Sequence, residues 1–323
     1  MKHLSEQIDK LAGIKVLVIG DIMLDEHVWS NVTRISPEAP VPVADVQNVT
    51  YAPGGSANVA NNIIALGGIP YLVGIIGTDL AGGKLIEILK TNKISADHLY
   101  ITDKRQTTHK TRIIAHGQHV VRVDREDKEE IGPELAKQLI KKIDLIWPEV
   151  DAVLLSDYDK GVLSAEICQY VMQKGQKDKK IISVDPKGED YNKYKGATIV
   201  TPNLSEAEQA SKITLRTEKN LQKIGLKLLA VLGSQYLLVT QGAKGMTLFF
   251  PNRPALHIPT VAKEVYDVTG AGDTVVGTLT MALAAGLAVE DAAHLATYAA
   301  GIVVGKSGTA TLVREELKKA ITD

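Results

Sequence analysis

Cysteine is almost missing from this chain of 323 residues: Cys168 stands alone, which excludes an intrachain disulfide and any zinc site built on several thiolates. Aromatic side chains make up only 4%, so the core has to be aliphatic. Neither sign of charge dominates. Thirty-seven basic residues face 38 acidic ones, for a formal net charge of -1, and that balance gives no electrostatic reason to expect nucleic acid or an anionic membrane as partner. The uncharged stretch 274–289 has 16 residues and contains Gly277 and Gly286, short of the roughly 18 a bilayer span needs and better read as buried helix. Residues 1–13 lack the continuous apolar segment of a signal peptide, and a cytoplasmic location is the expectation.

What is present describes a folded chain. Apolar residues reach 45% and charged ones 23% with signs interspersed, enough to bury a large core. The length suits two units of about 150 residues or one larger α/β domain. Val16-Leu17-Val18-Ile19-Gly20 reads as a strand handing over to a loop at Asp21. Helical patterns over 57–66, 80–90, 165–174, 221–232 and from Ser205 alternate with apolar runs over 71–76, 152–156, 181–184, 198–200 and 236–240. Two uncharged helices follow, over 274–285 and 292–304. Strands and helices at these spacings imply βαβ units, a mostly parallel sheet and helices on both faces. Cys168 falls on a helical pattern and reads as a packed thiol. Two stretches break the rhythm, 41–50 and 107–125, the second turning near His116-Gly117-Gln118. They read as hairpin strands forming a small lid over the carboxyl ends of the main strands, where ligands bind in open α/β sheets.

The chemistry concentrates at Asp267-Val268-Thr269-Gly270-Ala271-Gly272-Asp273, just ahead of an uncharged helix. Small residues there let backbone amides converge at a helix N-terminus, an anion site by construction. A plain N-cap would account for Asp273 but not for the Gly-Ala-Gly approach or for Asp267. A second glycine-rich element, Pro53-Gly54-Gly55-Ser56-Ala57-Asn58, also runs into a helix. Gly54 and Gly55 permit close backbone approach, and Asn58 offers a donor and an acceptor to a sugar hydroxyl. Neither element is a Walker A loop, and no Gly-x-Gly-x-x-Gly follows the first strand, which argues against a dinucleotide dehydrogenase.

Together these elements resemble the signatures of the ribokinase (PfkB) family of carbohydrate kinases, in the family's order and over nearly the whole chain. Asn203-Leu204-Ser205-Glu206 resembles its Asn-x-x-Glu motif, and Thr240-Gln241-Gly242-Ala243-Lys244-Gly245 its nucleotide-binding turn. The resemblance is narrowest to members acting on D-glycero-β-D-manno-heptose 7-phosphate in ADP-heptose and lipopolysaccharide synthesis. It is carried by Arg34-Ile35-Ser36-Pro37-Glu38-Ala39-Pro40-Val41-Pro42-Val43, Gly20-Asp21-Ile22-Met23-Leu24-Asp25, Leu155-Ser156-Asp157-Tyr158-Asp159-Lys160-Gly161 and Asp185-Pro186-Lys187-Gly188. It implies a ribokinase-like three-layer α/β/α fold over 1–323, with lid segments at about 34–50 and 106–125. The nucleotidyltransferase unit fused to such kinases in many bacteria is not expected in this chain.

The implied reaction is transfer of the ATP γ-phosphoryl group to the anomeric hydroxyl. Asp273 would be the general base, and the amides of Gly270, Ala271 and Gly272 the anion cup. ATP and Mg2+ are the implied cofactors: Glu206 would hold the metal through water, and Asn203, Thr240, Gly242, Gly245 and Lys187 would line the nucleotide side. Whether a monovalent cation assists near 305–309 is left open. Asp21, Gly54, Gly55 and Asn58 are the expected sugar floor, and Arg112 and Arg122, with Lys110 and Arg125 as further lid cations, are the candidates for the 7-phosphate. Apolar lid positions such as Val41, Val43, Val46, Val121 and Val123 imply a homodimer through the lid, the rival being a flap folded on its own domain. Two other functions compete: a different sugar or sugar-phosphate kinase of the family, and a non-catalytic sugar-responsive regulator.

Overall fold

Alternating aliphatic runs and helices resolve into a layered α/β structure in the computed structural model, which describes residues 2–322 other than 216, 263 and 307. After a short helix, α1 (Lys2–Gln7), comes the first core strand, β1 (Lys15–Gly20), and one residue later the chain enters a lid through β2 (Ile22–Ile35) and β3 (Pro42–Gly55). It returns by α2 (Ser56–Ala65) to β4 (Ile69–Val73), then β5 (Ile75–Gly77), α3 (Leu80–Thr91) and β6 (Tyr100–Thr102). The lid is completed by β7 (Thr108–Ala115) and β8 (Gln118–Arg125). There follow α4 (Pro133–Ile146), β9 (Ala152–Ser156), α5 (Ala165–Asp178), β10 (Ile181–Asp185), β11 (Ile199–Val200), α6 (Leu204–Ser211), α7 (Glu218–Leu232) and β12 (Tyr236–Thr240). Last come β13 (Met246–Phe249), β14 (Leu256–Ile258), α8 (Ala271–Ala284), α9 (Val289–Val303) and α10 (Arg314–Thr322).

Among the described residues the main sheet has eight strands in the order β14-β13-β12-β11-β10-β9-β1-β4. From β12 to β4 the pairs are parallel, while β13 and β14 are antiparallel additions at one edge. The three layers follow from the period of two along a strand. On β1, Val16 and Val18 pack with Val276, Leu279 and Ala296 of α8 and α9, whereas Leu17 and Ile19 pack with Leu139, Ile143 and Val171 of α4 and α5. Helix α8 is buried from Asp273 to Leu283, and among the described residues no helix is long and apolar enough to cross a membrane. Cys168 is fully buried, and burial pushes its thiol up to about 12.

The lid differs from the expectation. Its four strands run β3-β2-β7-β8, and the one beside both β3 and β7, β2, begins where the sequence suggested a loop after Asp21. On β2 the alternation is between polar groups: Asp25 meets Arg112 on one face, and Glu26 meets His109 and Thr111 on the other. Ile22, Met23 and Leu24 make a short buried apolar start, but from Asp25 onward charge against charge carries no hydrophobic period to mark a strand. The lid thus takes in 22–55 and 108–125 rather than starting near 34. The run 71–76 likewise divides at Gly74: β4 stays in the main sheet and β5 pairs with β6.

Candidate active site

The lid base, the loop after β9 and the N-terminus of α8 meet at one carboxylate. Asp273 lies in the first turn of α8 and is 4% exposed. Tyr158, in the loop after β9, donates its hydroxyl to Asp273 Oδ1 at 2.6 Å, and Asn58, on α2, donates Nδ2 to Oδ2 at 2.7 Å. Gly270 caps α8 with a left-handed φ of 79°, and a Cβ there would come within 2.7 Å of Asn58 Nδ2. Glycine is what lets the amide reach across. Burial drives the Asp273 carboxyl up to about 6; the bonds from Tyr158 and Asn58 pull the other way, and the charge of Asp25 adds to the rise. Asn58 Oδ1 is buried and has no partner among the described residues. A buried acceptor in that condition is made for a donor from elsewhere.

The cup is narrower than expected. The Ala271 amide donates to the Val268 carbonyl at 3.2 Å, so one of the three presumed donors is already engaged. Gly272 lies in the first helical turn, where an amide has no intrahelical acceptor, and it lines a cavity of about 170 Å³. Asp267 shapes the approach. Its Oδ1 accepts from the Thr269 amide at 2.9 Å and its Oδ2 from the Gly308 amide at 3.0 Å; against the push of partial burial, these bonds hold its carboxyl below the usual range. Of the proposed cation segment 305–309, Ser307 lies outside the described residues.

Asp21 does not offer its carboxylate to the cleft. It is 1% exposed; Oδ2 accepts from the amides of Tyr158 at 2.8 Å and Lys160 at 3.0 Å, and Oδ1 from Val162 at 3.1 Å. Its part is to fold the loop that delivers Tyr158. The carboxylate beside the glycines is Asp25: a Cβ on Gly54 would sit 2.5 Å from Asp25 Oδ2. Gly55 is the residue before α2, which carries Asn58. Both Asp25 and Tyr158 sit inside motifs already singled out in the sequence, yet neither was assigned a role. For Asp25 the signal was its place four residues beyond Asp21 on the face that β2 shares with Arg112.

The lid cations separate into kinds. Arg112 Nη1 pairs with Asp25 Oδ1 at 2.6 Å. Arg122 pairs with Asp124 on the outer strand β8 and is 55% exposed. Lys110 is half-buried, its ammonium 5.9 Å over the Tyr158 ring, with no carboxylate within 4 Å among the described residues. Burial and then the neighbouring Lys160 lower its pKa. A cavity of about 610 Å³ opens between the lid residues His27, Trp29 and His119 and the turn at Asp267 and Thr269.

On the other side of Asp273, the 170 Å³ cavity is lined by Asp185, Lys187, Asn203, Glu206 and Thr240. A capping box explains why Asn203 and Glu206 stand three apart: Asn203 Oδ1 accepts from the Glu206 amide at 3.0 Å and Glu206 Oε2 from the Asn203 amide at 2.9 Å. Glu206 Oε1 accepts from Lys187 Nζ at 2.6 Å. Asn203 forms a bridge with Thr240, which brings the turn bearing Gly242 and Gly245 alongside. No cluster of three metal-ligating side chains exists among the described residues. The oxygen-rich lining fits a hard cation held through water and substrate oxygens rather than by a protein cage.

This geometry has close company. The model of the pfkB family carbohydrate kinases matches residues 14–316. The bifunctional protein HldE of Desulfatibacillum aliphaticivorans is 42% identical over 99% of this chain and 65% of its own length. That of Geotalea uraniireducens (strain Rf4) is 43% identical over 98% and 64%. The chain thus spans just under two thirds of the curated relatives it matches. Among solved structures, Arabidopsis thaliana ribokinase complexed with ribose and ATP superimposes with a TM-score of 0.75 at 20% identity, over 97% of this chain and 99% of that one. Escherichia coli phosphofructokinase-2 in complex with fructose-6-phosphate gives 0.76 at 18%, over 96% and 98%. These two establish the ribokinase-like fold. With the family model spanning core, lid and both glycine-rich elements, the chain belongs to the pfkB family of carbohydrate kinases.

Proposed function

We propose that the chain transfers the γ-phosphoryl group of ATP to the anomeric hydroxyl of D-glycero-β-D-manno-heptose 7-phosphate, giving the 1,7-bisphosphate, with Asp273 as general base. One observation carries the reading: a buried carboxylate at a helix N-terminus stands beside an amide oxygen, Asn58 Oδ1, that lacks a donor. An acceptor sugar supplies what is missing. Its reacting hydroxyl gives a proton to Asp273, and a neighbouring hydroxyl donates to Asn58 Oδ1. With burial raising its carboxyl to about 6, Asp273 is ionised at neutral pH and basic enough to take that proton.

The first-turn amide of Gly272 faces the nucleotide-side cavity and stabilises charge on the phosphoryl oxygens. Thr240, Gly242 and Gly245 border the ATP side. Glu206, with Asn203, would hold Mg2+, and Lys187, paired with Glu206 here, would be free to offer its charge to phosphate oxygens. When bound, the metal neutralises charge on the phosphates. For the 7-phosphate the supporting cation is Lys110 rather than Arg122, because Arg122 is turned outward onto Asp124. Arg112 acts by orienting Asp25. The heptose itself is supported by the sequence motifs around 34–43 and 155–161. Two chains pair through the lid, whose β8 is exposed along its whole length and includes Val121 and Val123.

Phosphoryl-transfer assays with heptose 7-phosphate, fructose 6-phosphate, ribose and adenosine test the reading. The highest kcat/KM is expected on the heptose. A higher value on another acceptor replaces the substrate, and no turnover on any of them leaves the sugar-responsive regulator.

A further inference from the structure

Tyr158 has no part in the chemistry described so far, yet its hydroxyl touches the base. The loop that carries it is fixed from two sides. Asp21 gathers the amides of residues 158, 160 and 162. Asp157 accepts from the Asp159 amide at 2.7 Å, from Lys193 Nζ at 2.6 Å and from the Tyr194 hydroxyl at 2.6 Å. Six bonds to two buried carboxylates hold this loop, far more than a surface connection needs. The ring lines the nucleotide-side cavity next to Gly272, so the hydroxyl stands at the border between the two substrates.

We propose that Tyr158 is a positioning residue: by donating to Asp273 Oδ1 from a rigid loop it fixes the rotation of the carboxylate and keeps it in its anionic form before the acceptor arrives. The inference rests on Asp273 being the base. Burial and the nearby Asp273 charge push the phenol well above its ordinary value, so Tyr158 remains a donor and cannot itself take the proton. The other titratable groups around the pair are Asp25 on β2, Asp185 on β10, whose carboxyl burial and then the Asp273 charge push well above the usual range, and Lys110 on β7. Burial and the Asp25 charge oppose ionisation of Asp273. Tyr158 and Asn58 oppose them by direct hydrogen bonds, and a bond to an ionised acceptor is the strong kind.

The test is the pH profile of kcat/KM for Tyr158→Phe. Activity needs ionised Asp273, so it is present above the carboxyl's pKa and lost as pH falls through it. Without the phenolic donor the acid limb moves up by about one unit, and turnover at pH 8.5 returns to within several-fold of the parent. A limb that stays in place while activity drops equally at every pH overturns the proposal. Replacing Tyr158 by 3-fluorotyrosine, a stronger donor of nearly the same shape, moves the limb down; an unmoved limb there counts against it equally. Titration of the Asp273 carboxyl by 13C NMR in ligand-free protein reads the same shift without turnover. That measurement separates failure of this inference from failure of Asp273 as base, which Asp273→Asn would show by remaining active.

Discussion

Arg112 Nη1 lies 2.6 Å from Asp25 Oδ1, with the two side chains 13% and 6% exposed. An ion pair this sheltered is worth little over an apolar substitute, but breaking it leaves a buried charge without a partner. Arg112→Ala should therefore lower unfolding stability by about 3 kcal/mol, while the double variant with Asp25→Ala regains part of that loss; urea denaturation measures both. On the proposal that Arg112 acts through Asp25, its removal should weaken phosphorylated and unphosphorylated acceptors by the same factor.

Asp273→Asn removes the proposed base and should reduce kcat about 100-fold or more, with ATP affinity changed only a few-fold in titration calorimetry. Its effect on stability has the opposite sign. The folded-state pKa, about 6, lies above the ordinary 3.8, so the ionised carboxyl destabilises the fold at pH 8, and the penalty shrinks as pH falls from 6 towards 4. The difference corresponds to about 3 kcal/mol. An asparagine at this position also satisfies its surroundings, since its amide can donate to Asn58 Oδ1 once Asn58 turns. The variant is expected to melt higher than the parent at pH 8, with the gap closing near pH 4.

Lys110 and Arg122 make a matched pair for testing the proposed contact with the acceptor's phosphate. Lys110→Ala should raise KM for a phosphorylated acceptor by about 10- to 100-fold, the range for losing a hydrogen bond to a charged group, and leave an unphosphorylated analogue nearly unaffected. Arg122→Ala should change either by less than twofold. Steady-state kinetics on the two acceptors decides.

The lid sheet ends in β8, every residue of which is exposed. Val121 and Val123 point out of it at 48% and 42% exposure, an apolar edge that a second lid would cover. Sedimentation equilibrium should give twice the chain mass for the parent and a single chain mass for Val121→Asp combined with Val123→Asp.

The layered core was legible because its strands are continuous aliphatic runs and its helices carry their own period; β9 and β12 fall on 152–156 and 236–240 as read from the sequence. Asp273, Asn58 and the Asn203–Glu206 pair were legible because local glycines and capping geometry bring such residues to helix starts. What escaped was whatever depends on register between distant strands. Asp25 and Arg112 are 87 positions apart and meet only because β2 pairs with β7. Asp21 and Tyr158 were inseparable by composition: a carboxylate at a strand end suits a ligand as well as a loop, and only the three amides closing on it show which.

One residue, Asp21, separates β1 from β2, and none separates β3 from α2. The flap is thus a prolongation of the floor of the candidate site rather than a hinged appendage, and α2 carries the amide that grips Asp273. On the proposed reading, whatever clamps the tips of the flap, a neighbouring copy or a bound sugar, should also stiffen that grip, so that occupancy at the rim would be felt as alignment at Asp273.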